Sequence, residues 1–228
     1  MCNTIFSDPG PRCTYPFEKY GLAHQVATIV AAGHETTSAA LFWSLYLMAS
    51  APEEQEAVAA EVGPLDVGPD GAVHALPKLI HTRAVVDEAL RLYPPAFVIV
   101  RQALADDFVD NIRVPAGSMV VIVPWILHRH HRSWTSPETL DSTRFLPGAP
   151  PPGHFSYMPF GAGPRICIGA QFALTELTLL LAIMVRTFRV RLAEPRIVRP
   201  IGITSTQPDD PPPFRLQPRA GPRAASLY

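Results

Sequence analysis

The hydrophobic positions of the chain recur mainly with helical spacing. The stretch Gly21–Ser50 is apolar on most sides, and the Ala51-Pro52 pair ends it. Because a helix that is apolar all round needs neighbours on every side, we expect this one in the middle of a domain. Pro52 begins a second predicted helix, whose first-turn glutamates suit the positive end of the helix dipole.

Two more apolar stripes predict helices farther along the chain. The first covers Leu79–Tyr93 and ends at Pro94-Pro95, and the second covers Ala170–Arg186. The stretch 63–77 is polar and rich in Gly and Pro, so we expect a loop there. These patterns place most of the apolar residues on helices.

The period of the pattern changes after the third helix. Ile112–Val114 and Met119–Val123 predict two strands that pair across a tight turn at Pro115-Ala116-Gly117. Residues 128–164 contain 7 prolines in 37 residues and predict a long loop, which in a compact domain is usually functional. Short strands are expected after Phe188. The fold class predicted is therefore mainly α with small β-sheets (α+β).

Composition and charge exclude several classes of protein. The chain has 228 residues, of which 47% are hydrophobic and 17% charged, typical of a soluble globular protein with a sizeable core. The formal net charge of −1 argues against nucleic acid as a partner. Three cysteines without a C-x-x-C pair exclude a disulfide framework and a zinc ribbon.

The ends of the chain and its longest uncharged run bear on localisation. Residues 1–20 have no clear period and form a lead-in, and residues 220–228 form a tail. No signal peptide is recognisable, and the uncharged run Thr36–Pro52 is shorter than the roughly 18 residues of a membrane span. We therefore expect a cytoplasmic protein with no membrane span in this chain.

One cysteine stands at the end of a glycine-rich loop, just before the last apolar helix. The loop reads Phe160-Gly161-Ala162-Gly163-Pro164-Arg165-Ile166-Cys167-Ile168-Gly169. The positive N-terminal end of the helix favours a thiolate at Cys167, and the glycines allow backbone conformations that a Cβ would block. Such a thiolate, with Arg165 beside it, suits an iron ligand next to an anionic group. A lone cysteine is otherwise most often buried and inert.

The loop matches the F-x-x-G-x-R-x-C-x-G signature, and the chain thereby resembles the cytochrome P450 family of haem-thiolate monooxygenases. The resemblance implies haem b as the cofactor, with Cys167 as the axial thiolate on iron. It also implies that Arg165 pairs with a haem propionate and that Phe160 lies against the porphyrin. Gly161 and Gly169 complete the cofactor-binding loop. Arg101 would reach a propionate as well, although a surface arginine explains it equally.

A second block matches the distal-helix pattern of the same family, [AG]-G-x-[DE]-T-[TS], at Ala32–Thr37. A threonine hydroxyl can share the hydrogen bonds of its own helix and bend it locally. Gly33 leaves room for a diatomic ligand. The resemblance implies that Glu35 and Thr36 are catalytic, with Glu35 relaying protons from solvent and Thr36 nearest the oxygen.

A third block, Glu88-Ala89-Leu90-Arg91, matches the family's E-x-x-R. Residues three apart share one helix face, and on a surface such a pair is a solvated salt bridge. The resemblance instead implies a buried structural ion pair of Glu88 and Arg91, completed by Arg144. The Pro-Glu that usually precedes this arginine is Ser142-Thr143 here.

The run His128-Arg129-His130-His131-Arg132 is basic. A metal site is one interpretation, and an exposed basic segment that faces an acidic redox partner is another. We favour the exposed segment, because related sequences often carry His-Arg at this place.

The resemblance implies the activity and its partners. The enzyme would activate dioxygen and hydroxylate or epoxidise an apolar small molecule, with electrons from a separate reductase or ferredoxin. Family members are roughly twice as long, so residues 21–219 would be the C-terminal half of a haem domain, with the N-terminal half missing. The alternative is a non-catalytic haem-binding or inert fragment of the same family.

Overall fold

The computed structural model describes residues 17–219, with side chains from residue 21 onward. Sequence predictions for residues 1–16 and 220–228 lie outside the described residues. The helices are α1 (Phe17–Ser50), α2 (Pro52–Val62), α3 (Ala72–Ala75), α4 (Ile80–Leu92), α5 (Pro124–Leu127) and α6 (Ala170–Thr187). The strands are β1 (Ile99–Gln102), β2 (Asp107–Val109), β3 (Ile112–Val114), β4 (Met119–Ile122), β5 (Phe188–Leu192), β6 (Pro200–Gly202), β7 (Thr206–Pro208) and β8 (Phe214–Pro218).

The core lies where α1, α2, α4 and α6 pack together. Helix α6 contributes one apolar face that includes Leu177 and Leu181, and α4 contributes Val85, Val86 and Leu90. Leu177 and Leu181 are four residues apart, as are Val86 and Leu90, which is the spacing that predicted both helices. The apolar stripes of the sequence are therefore the buried faces of the structure.

Helix α1 is buried only in its second half. Side chains from Ala39 to Met48 pack in the core, whereas Leu22, Val26, Ile29 and Val30 are each at least 52% exposed. No described element covers this first half. The expectation of a helix buried on every side is therefore wrong for its first half, although the residues there are apolar. The helix also begins at Phe17, four residues before the predicted start.

The strands form four two-stranded antiparallel sheets, and their pairing differs from the prediction. Strand β3 pairs with β2, and β4 pairs with β1. The predicted hairpin between 112–114 and 119–123 is wrong, because Asp110 adopts a positive φ of 54° and closes a tight turn on the other side of β3. Strand β1 lies beside the loop that carries Cys167, because a Cβ at Gly161 would lie 3.7 Å from Ile99 Cδ1.

The loops also differ in detail from the sequence prediction. The stretch 63–77, predicted as a loop, holds the short α3 and most of the 3₁₀ turn Leu76–Lys78. Residues 128–164 are irregular as predicted, apart from the 3₁₀ turn Ser142–Phe145 and the start of another at Gly163.

The β6–β7 hairpin packs between α1 and the segment after α4. The indole Nε1 of Trp43 donates a hydrogen bond of 2.9 Å to the Thr206 carbonyl, and the Thr206 hydroxyl donates to the Pro94 carbonyl at 2.6 Å. The Trp43 ring stacks on Tyr93 with centroids 3.9 Å apart. A Cβ at Gly202 would lie 2.6 Å from Phe97 Cζ, so the Phe97 ring lies directly on the hairpin backbone.

Helix α6 has the length and mean hydropathy, 1.3, of a membrane span. It nevertheless packs against α1, α2 and α4, with Leu181 and Val185 fully buried. A core helix of a globular protein passes the same test of length and hydropathy. The expectation that this chain has no membrane span stays a prediction.

A buried glutamine joins three elements of the core. The Gln55 amide nitrogen donates to the carbonyls of Met48 and Val190, and its Oε1 accepts the Val190 N–H at 2.8 Å. Gln55 thus supplies partners to backbone groups at the end of α1 and in β5, which would otherwise be buried without hydrogen bonds.

We expect Gln55→Ala to lower the free energy of unfolding by about 3 kcal/mol, because it leaves these backbone groups unpaired. Urea denaturation followed by circular dichroism measures the change. Gln217→Ala on the exposed face of β8 is the matched control, with an expected change within about 0.5 kcal/mol. Equal effects of the two substitutions would contradict the bridging role of Gln55.

Candidate functional site

The loop that carries Cys167 is closed by its own backbone. The Cys167 N–H donates to the Phe160 carbonyl at 2.9 Å, and the Ile166 N–H donates to the Gly163 carbonyl at 3.1 Å. Gly161 and Gly163 have φ values of 76° and 70°, which side-chain-bearing residues rarely adopt. The result is a compact turn that presents Cys167, an exposed free cysteine, three residues before α6 begins.

The surface around Cys167 is apolar and open. Ile166, Ile168 and Phe172 are 57%, 102% and 74% exposed, which is unusual for large apolar side chains side by side. Gly169 borders the sulfur, because a Cβ at Gly169 would lie 3.8 Å from Cys167 Sγ. This surface suits an apolar ligand that reaches the sulfur.

Two arginines near this surface have no carboxylate partner among the described residues. Arg165 lies in the loop itself and is exposed. Arg101 lies in β1, whose Ile99 approaches Gly161, and its guanidinium donates to the Val100 carbonyl. Both cations are therefore available for anionic groups of a ligand.

Helix α1 supplies the polar residues predicted to be catalytic. The Thr36 hydroxyl donates to the Ala32 carbonyl at 2.7 Å, one turn earlier in the same helix. A Cβ built at Gly33 meets no atom within 4 Å, so the helix has free space on this side. A cleft of about 320 Å³ lies between α1 and α6, lined by Gly33 and Thr37 on one side and by Phe172 on the other. A larger cleft of about 920 Å³ lies elsewhere, beside α2 and β5.

Glu35 is held by the β6–β7 hairpin. Its Oε1 accepts hydrogen bonds from the hydroxyls of Thr204 and Ser205 and from the amide of Gln207. The hydrogen bonds from Thr204 and Ser205 lower the pKa of Glu35, with a smaller contribution from Gln207 and the neighbouring His34. Among the described residues, no hydrogen bond joins Glu35 to Thr36. Glu35 and Thr36, the two predicted catalytic residues, are neighbours in the chain but form hydrogen bonds with different partners.

Glu88 and Arg91 form a fully buried ion pair on α4. Arg91 Nε lies 2.6 Å from Glu88 Oε2, and Arg91 Nη2 lies 2.8 Å from Glu88 Oε1, so the contact is bidentate. Burial raises the pKa of Glu88, and the hydrogen bond and charge of Arg91 oppose that rise. The remaining Arg91 donors bind three carbonyls of the long loop, those of His128, Pro137 and Thr139.

Arg144 joins this ion pair from the 3₁₀ turn Ser142–Phe145. Its Nε lies 3.5 Å from Glu88 Oε1, and its Nη2 donates to the Thr135 carbonyl at 2.6 Å. Glu88 Oε1 also accepts the Asp141 N–H at 2.9 Å. The structure thus brings together all three residues predicted as the ion pair, despite Ser142-Thr143 in place of Pro-Glu.

The prediction of an exposed basic segment at His128–Arg132 is wrong for His128, whose side chain is buried. Its Nδ1 lies 3.2 Å from the Arg91 carbonyl, and its Nε2 accepts the Met158 N–H at 2.9 Å. Burial lowers the pKa of His128 to about 4. Arg129 is also largely buried and stacks on Trp125 at 3.5 Å. The apolar run Trp125-Ile126-Leu127 just before His128 is the signal that could have indicated burial.

His128 thereby connects the ion pair to the cysteine loop. Met158 lies two residues before Phe160, the residue whose carbonyl closes the loop on Cys167. The neutral imidazole donates with one nitrogen to α4 and accepts with the other from the segment that leads into the loop.

Comparison with known proteins identifies the class to which this arrangement belongs. The family model described as cytochrome P450 matches residues 14–215. Cyclooctatin synthase of Streptomyces melanosporofaciens is 38% identical over 77% of this chain and 39% of its own length. Human cytochrome P450 4V2 is 35% identical over 85% of this chain and 37% of its own length.

Solved structures agree in fold. The haem domain of cytochrome P450DA matches with a TM-score of 0.82 and 29% identity, over 94% of this chain and 48% of that one. A mutant of the same domain matches with a TM-score of 0.79 and 31% identity, over 86% of this chain. The chain belongs to the cytochrome P450 family, and the predicted fold class is confirmed.

The chain spans about two fifths of the length of the curated relatives it matches. Members of the family bind haem through a cysteine thiolate. The described residues fit that group, because an exposed cysteine lies in an open apolar surface with two arginines free for its propionates. The boundaries 21–219 and the individual roles of the site residues stay predictions.

We expect Arg91→Ala to lower the free energy of unfolding by about 3–5 kcal/mol, because it leaves Glu88 buried without its counter-charge. Thermal or urea denaturation measures the loss. Arg113→Ala removes the exposed ion pair with Asp106, whose side chains are 65% and 54% exposed, and is expected to cost less than about 1 kcal/mol. A similar cost for the two substitutions would refute the structural role of the buried pair.

His128 makes the stability of the chain depend on pH. Its pKa is depressed to about 4 in the folded state, against about 6.5 unfolded, so its contribution is complete above pH 6.5 and is lost as the pH falls toward 4. Wild type and His128→Gln differ in their free energy of unfolding, and we expect this difference to decrease by about 3 kcal/mol as the pH falls from 6.5 to 4.

The measurement is urea denaturation at a series of pH values. Gln217→Ala, at an exposed residue of β8 that carries no titratable group, is the control and should keep the wild-type pH dependence. A gap that stays constant between pH 7 and pH 4 would show that His128 is not held neutral.

Proposed function

We propose that this chain carries the haem-binding and oxygen-activating part of a cytochrome P450 monooxygenase. The observation that carries the proposal is the closed loop that presents Cys167 in an open apolar surface. Arg165 in the loop and Arg101 on β1 have no carboxylate partner in the part of the chain that the structure describes. Haem b, bound there, would supply the activation of dioxygen that lets one oxygen atom enter an apolar C–H or C=C bond.

The residues of the loop would hold and orient the cofactor. Cys167 would donate its thiolate to the iron, and the glycine conformations at 161 and 163 keep the backbone compact around the sulfur. Arg165 and Arg101 would pair with the propionates through charge-assisted hydrogen bonds. Phe160 would contact the porphyrin near the sulfur, and Gly169 would leave space beside it.

Helix α1 would deliver a proton from solvent to the site. The Thr36 hydroxyl, which now donates to the Ala32 carbonyl, can rotate away from its own helix to donate a hydrogen bond into the free space at Gly33. Glu35 lies on the adjacent face of the helix, where its carboxylate can exchange protons with solvent. The pair would then move a proton from solvent toward the site.

The substrate proposed is an apolar small molecule, and the electron donor is a separate reductase or ferredoxin. Phe97, Val98 and Ile203 are apolar and lie at least partly open to solvent beside the hairpin and β1. The relatives differ in the compounds their names state, cyclooctatin for one and taurochenodeoxycholic acid for another. We propose only the common class, a largely apolar organic molecule.

A non-catalytic haem-binding or inert fragment is the second candidate. The observation that favours it is the uncovered first half of α1, with four large apolar side chains in contact with solvent. Such a surface promotes association or aggregation of the chain.

The test is the carbon monoxide difference spectrum of the reduced chain, expressed with added haem precursor. We expect a thiolate-type Soret band that Cys167→Ala abolishes and Cys13→Ser leaves unchanged. Absence of haem uptake, or a band that survives Cys167→Ala, would favour the inert fragment. A band without oxygen-dependent product formation would favour a non-catalytic haem-binding chain.

A further inference from the structure

The β6–β7 hairpin reaches α1 at one acidic residue. Three residues of the hairpin contribute donors, the hydroxyls of Thr204 and Ser205 and the side-chain amide of Gln207, and all three bind Glu35 Oε1. These donors lie about 170 residues from Glu35 in the chain. Three donors from one distant hairpin therefore converge on one oxygen of one carboxylate.

The hairpin is itself fixed in place, so its donors have a defined position. Ser205 and Thr206 are buried, and Thr206 is bound to Trp43 on one side and to Pro94 on the other. The Gln207 amide donates to the Ser205 hydroxyl at 2.9 Å, which aligns that hydroxyl for its bond to Glu35. The three donors therefore act as a preorganised group.

We propose that Thr204, Ser205 and Gln207 are positioning residues for Glu35, which keep its carboxylate on the hairpin side of α1. This inference rests on the proposed role of Glu35 in proton delivery. Hydrogen bonds to a carboxylate fix its position and favour its ionised form, so the hairpin donors set both where Glu35 lies and how readily it takes up a proton. The residues act through Glu35 and are not themselves catalytic.

The hydrogen bonds from the hairpin are the main influence on the pKa of Glu35, because the charged groups around it act less strongly. His34, the neighbouring residue on α1, favours the carboxylate but acts less strongly than the hairpin donors. The hairpin residues 200–208 carry no charged side chain, and Asp209 and Asp210 follow it. Removal of a donor is therefore expected to raise the pKa of Glu35.

The hairpin also connects Glu35 to the segment expected to face substrate. Phe97 lies on the backbone of Gly202, two residues before Thr204. A ligand that moves the Phe97 ring thereby acts on the same turn that holds the carboxylate. The same β6–β7 hairpin would then hold Glu35 and respond to a ligand that contacts Phe97.

The test is a carbon-13 NMR titration of the glutamate carboxyl groups in the full 228-residue chain, with Glu35 assigned by the signal missing in Glu35→Gln. We expect Thr204→Val to move the titration midpoint of Glu35 to higher pH and Thr204→Ser to return it toward the wild-type value. Gln207→Leu, which removes a different donor, should move it in the same direction by a smaller amount.

Thr187→Val is the matched control, because the Thr187 hydroxyl donates only within α6, to the Ile183 carbonyl. It should leave the Glu35 midpoint unchanged. A midpoint that is the same in Thr204→Val, Gln207→Leu and wild type would overturn the proposal. The titration needs no haem, so a failed haem test with a shifted Glu35 midpoint would reject the proposed function alone.

Discussion

The fold depends on one buried ion pair, Glu88 with Arg91. Both side chains are removed from water, which is costly unless every donor and acceptor finds a partner. Arg91 meets that requirement by binding carbonyls of the long irregular segment as well as Glu88. The guanidinium thus supplies to residues 128–139 the hydrogen bonds that a strand or helix would otherwise provide. These bonds add to the few turn hydrogen bonds that the segment makes within itself, such as Trp134 N–H to the His130 carbonyl.

The position of the cysteine loop depends on the same Glu88–Arg91 ion pair. Arg91 binds the segment, the Arg91 carbonyl binds His128, and His128 accepts the N–H of Met158 just before the loop. The steps through His128 are hydrogen bonds between buried groups, 3.2 Å to the Arg91 carbonyl and 2.9 Å from the Met158 N–H. The loop that presents Cys167 is therefore anchored through side-chain hydrogen bonds to α4, the most completely buried of the described helices.

The parts of the structure that sequence reasoning predicted are those with a local signal. Helices α4 and α6 follow from apolar periodicity, and α2 follows from Pro52 and the glutamates of its first turn. The buried pair of Glu88 and Arg91 was predicted from the family motif that contains them. The prediction that β3 and β4 form a hairpin was wrong, because strand pairing depends on the turn geometry at Asp110. His128 and the contact of Glu35 with Thr204 could not be predicted, because burial and pairing across many residues arise only from tertiary packing.

Trp43 has a consequence for how this molecule can be observed. Its side chain has no exposed surface, stacks on Tyr93 and donates to the hairpin at Thr206. An indole in such surroundings emits at shorter wavelength than one in water, and loss of the contact shifts the emission to longer wavelength. The chain therefore contains an intrinsic fluorescent reporter at the interface between α1 and the hairpin, two helical turns from Thr36.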